Sequence, residues 1–135
     1  EQIMPMDRLR LLLDDFSRVL ERFEEALLAG SAPFARDSAI LHFELCYEVA
    51  WKSSRAYAVT QGLQPAGPPE SFAALVTLGL AHDEQVLTQI LRARNDAVHI
   101  YRLPLADALR VTLPAFSVEF RKLHDGIRSH SGLMR

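Results

Sequence analysis

The spacing of the first apolar residues constrains the fold of this chain more than any other feature. Over residues 6–29, Leu9, Leu13, Phe16, Leu20, Phe23 and Leu27 recur at gaps that alternate between four and three. A helix of 3.6 residues per turn gathers such a series on one side, whereas a strand scatters it over both faces. The resulting stripe is long and narrow, the seam of a helix packed along its length against another helix. Gly30 and Pro33 predict where that helix stops.

Further segments have the same character. Residues 35–61 read as a second helix, with Ile40, Phe43, Tyr47, Trp51, Ser54 and Ala58 on one face, Leu45 and Val49 widening it, and Gly62 placed to end it. The stretch LQPAGPPE (63–70) is a loop. Gly67, Pro68 and Gly79 bracket a short third helix, and His82 or Asp83 opens a fourth that runs to about residue 100. A fifth starts at Pro104 and presents Leu105, Leu109, Val111 or Thr112, Phe116, Phe120, Leu123 and Ile127, with Pro114 expected to kink or weaken it. No segment alternates as a strand does. The expected fold is therefore all-α: an antiparallel up-down helical bundle of four main helices plus one short helix, forming a single domain over residues 6–130.

Composition narrows the function classes. With 49% hydrophobic and 24% charged residues, the chain can bury a core and is not a disordered tail. No apolar run reaches the roughly 20 residues of a membrane span, and the opening EQIMPMDRLR lacks the apolar stretch of a secretory signal. The one cysteine, Cys46, reads as a buried thiol. The reading is a cytoplasmic protein without a membrane partner. His42, His82, His99, His124 and His130 show no ligand spacing, so neither a metal nor another cofactor is expected. Net charge is −2, but it is unevenly spread. Residues 1–85 hold 7 Lys/Arg against 13 Asp/Glu, and residues 86–135 hold 8 against 4. The second half can therefore attract a polyanion.

That basic half contains RARNDAVHIY (92–101). A permanently charged Arg94, a titratable His99 and the phenol of Tyr101 are a set suited to phosphate chemistry. Histidine exchanges protons near neutral pH, and a guanidinium can stabilise charge gathering on phosphoryl oxygens. RNA brings its own nucleophile, the 2′-hydroxyl, so such a pair needs no metal. On one straight helix, however, His99 lies about 140° round from Arg94. Joint action therefore requires that the helix unwind near its end or that two copies meet across a two-fold axis. Asn95 can either cap the helix end or hold the His99 ring from one turn below. Glu48 and Lys52 read as an i, i+4 ion pair, and Trp51 as core or interface packing.

These residues carry a resemblance. RNDAVH (94–99) resembles the Arg-x4-6-His motif of the HEPN superfamily, with Asn95 as its polar residue after the arginine, and Tyr101 completes the extended Arg-x4-His-x-Tyr form. RDSAILHFELCYEVAWK (36–52) is similar to the signature of the nucleotidyltransferase substrate-binding branch, through Phe43, Glu44, Glu48, Trp51 and Lys52. A looser block, PPESFAALVTLGL (68–80), follows. Gly67, Pro69, Ala73 and Asp96 depart from the pattern. Asp96 places a carboxylate where an apolar residue is frequent, and it can oppose an anion or orient His99.

The resemblance implies a homodimer in which Arg94 and His99 are catalytic, supported by Asn95 and Asp96. The activity it implies is that of a metal-independent endoribonuclease toxin. Attack by the 2′-hydroxyl of an RNA substrate would leave a cyclic phosphate. A minimal nucleotidyltransferase would be the antitoxin, adding AMP to Tyr101. The alternative is a non-catalytic subunit that binds or presents substrate for a partner nucleotidyltransferase. A bare helical dimerisation module, indifferent to Arg94 and His99, is the third reading.

Overall fold

The computed structural model describes residues 3–133. Among the described residues there are five α-helices and no strand: α1 (Pro5–Leu28), α2 (Pro33–Thr60), α3 (Pro68–Thr77), α4 (Glu84–Asp96) and α5 (Leu103–Ser131), with a single 3₁₀ turn, Ala97–His99, after α4. Side-chain pairs give the directions. Arg128 meets Asp14, Arg121 meets Glu24, and Arg110 meets Leu27, so α1 and α5 are antiparallel. Arg36 meets Asp107 and Phe43 meets Phe116, so α2 and α5 run the same way. Only residues 97–102 separate α4 from α5, and both line one cleft, as antiparallel neighbours do. Counting α1, α2, α4 and α5 as the main helices gives the up-down bundle, with α3 as the short addition.

The 4-3 stripe of α1 faces inward as its spacing requires: Leu9, Leu13, Phe16, Leu20 and Phe23 are fully buried, and only Leu27 is partly exposed. At the centre, Phe43 of α2 meets Phe23, Phe116 and Phe120 at ring-centroid distances of 6.2, 5.6 and 6.0 Å. Charged side chains fix the helices around this cluster. Buried Arg36 donates to Asp37 and Asp107, joining the starts of α2 and α5. Arg110 donates to the carbonyls of Leu27 and Gly30, both at 3.1 Å, and so serves from α5 as a C-cap for α1.

Helix ends follow local chemistry. Gly62 at φ +87° and Gly79 at φ +82° adopt the left-handed conformation that lets the Leu63 and Leu80 amides reach back to Ala58 and Leu75. Asp83 caps α4 through the Val86 amide. α5 runs through Pro114, which lies on its exposed side. Two expectations need correcting. Leu45 does not widen the core: α2 touches α1, α3, α4 and α5, and Leu45 occupies the sector left open to solvent. Val111 is 79% exposed, leaving its stretch of the α5 stripe to Leu109 and Leu113.

Candidate functional site

The site residues stand where α4 gives way to α5. Leu87, Ile90 and Ala93 anchor the buried side of α4, which places Arg94 in its last turn beside α2. The α-helix stops at Asp96, four residues short of the expected end, and tightens into the 3₁₀ turn over Ala97–His99. Buried Ala97 and half-buried Ile100 hold that turn against the bundle. Asn95, Asp96, Val98, His99, Tyr101 and Arg102 are left on the outside.

Within the chain the motif divides into two pairs. The Arg94 guanidinium lies 3.8 Å from the Glu44 carboxylate on α2. It also faces Tyr47, whose phenol burial pushes up and the Arg94 charge pulls partly back down. His99 turns instead to Tyr101. With the imidazole proton on Nε2, the Tyr101 hydroxyl donates to His99 Nδ1 at 3.2 Å. The two rings meet edge to face at 5.9 Å, and the Arg102 guanidinium lies 5.6 Å over the other ring, that of Tyr101. Tyr101 is nonetheless 69% exposed, so its hydroxyl is both oriented and accessible. No hydrogen bond or ion pair joins Arg94 to His99, or Asn95 to His99, among the described residues. The hold that Asn95 was expected to have on the His99 ring is made by Tyr101.

This geometry suits a phenol whose proton has an adjacent acceptor, the arrangement by which a weak hydroxyl nucleophile is activated. Within one chain Arg94 and His99 are not brought together, so joint action on one phosphodiester would require a second copy. Elsewhere, burial pushes the Cys46 thiol up and makes it unreactive. Among the described residues no three His, Cys, Asp or Glu side chains converge as metal ligands. None of their helices is long and apolar enough to cross a membrane. Nothing in the residue pattern hinted that Glu44 would hold Arg94. Glu44 belongs to the Phe-Glu-x3-Glu-x2-Trp-Lys block, and only the proximity of α2 to α4 gives it that role.

A family model described as "Nucleotidyltransferase substrate binding protein like" matches residues 11–129. The chain belongs to this family. Among solved structures it is similar to a protein from Thermus thermophilus, at 30% identity and a TM-score of 0.79 over 84% of this chain and 98% of that one. It also shares its fold with a chain from a crystal structure of a mutant of the toxin–antitoxin MntA–HpeT, at 23% identity and a TM-score of 0.74 over 91% of this chain and 98% of that one. No curated protein sequence matches it. The family match overturns the reading of this chain as a metal-independent endoribonuclease toxin. The family is described by substrate binding for a nucleotidyltransferase.

Proposed function

We propose that this protein is the non-catalytic substrate-binding subunit of a partner nucleotidyltransferase, on a helical bundle of the HEPN superfamily. The family match over residues 11–129 carries the reading. The end of α4 is the face that meets the partner, with Tyr101 as its modification site. Support comes from the exposed Tyr101 hydroxyl, its hydrogen bond to His99, and the neighbouring Arg102. In nucleotidyl transfer the Tyr101 oxygen would attack the α-phosphorus of a bound nucleoside triphosphate. Pyrophosphate would leave and His99 would take the phenolic proton. Asn95 and Asp96, both exposed, border that face. Arg94 positions the turn through Glu44 rather than acting on substrate. We also place a homodimer contact beside it, where Leu41, Leu45 and Val98 are exposed at 52%, 46% and 57%.

The test is reconstitution with a minimal nucleotidyltransferase. Wild-type protein is expected to form a complex and to gain the mass of one nucleotide on Tyr101 in the presence of nucleoside triphosphate and magnesium. Tyr101→Phe should bind yet gain no mass, and His99→Ala should gain it more slowly. Failure of the wild-type chain to bind the enzyme refutes the reading, and a complex without nucleotide transfer refutes the role given to Tyr101.

A further inference from the structure

Away from the α4 end, the start of α1 and the last turns of α2 enclose a cleft of about 450 Å³. Its walls are Ile3, Pro5 and Leu12 on one side and Ala56 and Val59 on the other, and its polar side chains are Arg8, Lys52 and Arg55. Among the described residues three cations and no carboxylate line it, on a chain whose net charge is −2. The ends of α1 and α2 that meet there are of opposite polarity, so their dipoles offset one another and the side-chain charges set the field. Lys52 is shared with Glu48 at 3.1 Å. Neither Arg8 nor Arg55 has a carboxylate partner among the described residues. Arg55 lies half-buried with its guanidinium 4.8 Å over the ring of Trp51. A guanidinium stacked in this way keeps its N–H edge free to donate in the ring plane.

We infer that this cleft binds a small organic phosphate, its dianionic head held by Arg8, Lys52 and Arg55 and its apolar body seated against Leu12, Ala56 and Val59. The volume falls within the roughly 300–1,000 Å³ usual for small-ligand sites. Two arginines offer paired donors that match phosphate oxygens, which favours a phosphate over a monoanion of the same size. The apolar walls carry no polar group that reads a particular body, so head charge and apolar contact together set the affinity, not the identity of the body. This binding belongs to the isolated chain and stands apart from the partner-facing role of Tyr101.

Trp51 is the sole tryptophan, and Arg55 lies on it, so its fluorescence reports on the cleft directly. The experiment titrates the protein with phenyl phosphate, inorganic phosphate and phenol, following Trp51 emission and confirming affinities by calorimetry. Phenyl phosphate is expected to bind saturably and roughly tenfold or more tighter than either fragment, with an affinity that falls as salt rises. Arg8→Ala should weaken it about tenfold, and Arg8→Glu should abolish it. Arg8 is exposed, so both variants should fold, as far-ultraviolet circular dichroism will show. Arg94→Ala should leave the affinity unchanged. The inference is overturned by equal binding of inorganic phosphate and phenyl phosphate. An affinity indifferent to Arg8→Glu, loss of binding in Arg94→Ala, or no saturable signal would also overturn it.

Discussion

Arg94 is proposed to position the turn through Glu44, and the strength of that pairing can be worked out. At 3.8 Å the bare attraction between unit charges is about 1 kcal/mol in water and about 4 kcal/mol at the effective dielectric of a protein surface. The side chains are 36% and 29% exposed, so solvent screens the pair substantially. Ordering an arginine side chain costs up to about 2 kcal/mol, and desolvation removes more. The net coupling should therefore be about 0.5–1 kcal/mol. The assay is a double-mutant cycle of Glu44→Gln and Arg94→Met by urea unfolding at low salt, repeated at 1 M salt, where the screening length of about 3 Å is shorter than the pair separation. Coupling should fade at high salt. Arg94→Met should also raise the Tyr47 phenol further, since the one cation pulling it down is gone. Zero coupling at low salt would refute this role, because it would leave Arg94 free to act with His99. Coupling above about 3 kcal/mol would refute it differently, since only a desolvated pair reaches that value.

Phe43 is fully buried among four aromatic rings, so Phe43→Ala should cost about 4–5 kcal/mol in chemical unfolding, while Phe34→Ala, at 92% exposed, should stay within about 0.5 kcal/mol. Burial pushes the Glu119 carboxyl up, with Lys122 partly offsetting it. A group raised on folding contributes its full stability below its unfolded value, roughly pH 4.3, and loses it as pH rises through the folded value. Glu119→Gln should therefore change the melting temperature little at acid pH and raise it at neutral pH. Arg110→Ala strips two hydrogen bonds from the end of α1 and should cost about 1.5–3 kcal/mol by thermal or urea unfolding, with hydrogen exchange rising first over residues 24–30.

Periodicity made most of the fold legible because burial on one side of a helix leaves a 3.6-residue imprint. The α1 stripe, the glycine ends at Gly62 and Gly79, and the Asp83 cap all follow from local chemistry that sequence displays. Leu45 and Val111 misled because hydrophobicity alone does not say which sector of a helix lacks a neighbour. Buried Arg36 and Arg110 carry no pattern at all, since their roles depend on carbonyls and carboxylates brought near by the fold. At the site, the residues of the motif were legible but their pairing was not. Stopping α4 at Asp96 turns His99 toward Tyr101, and α2 brings Glu44 to Arg94. The cationic cleft was equally hidden, because Arg8 joins Lys52 and Arg55 only when α1 lies against α2.

Whether this chain serves a nucleotidyltransferase by binding, rather than by cutting RNA, is decided by one calorimetric titration with a control. A minimal nucleotidyltransferase is titrated into the purified chain, and RNA is incubated with the chain alone in EDTA alongside. A binding subunit gives a stoichiometric complex, weakened at least about tenfold by Arg102→Glu beside Tyr101, and leaves the RNA intact. No complex, together with RNA cleavage that disappears in His99→Ala, would contradict that role.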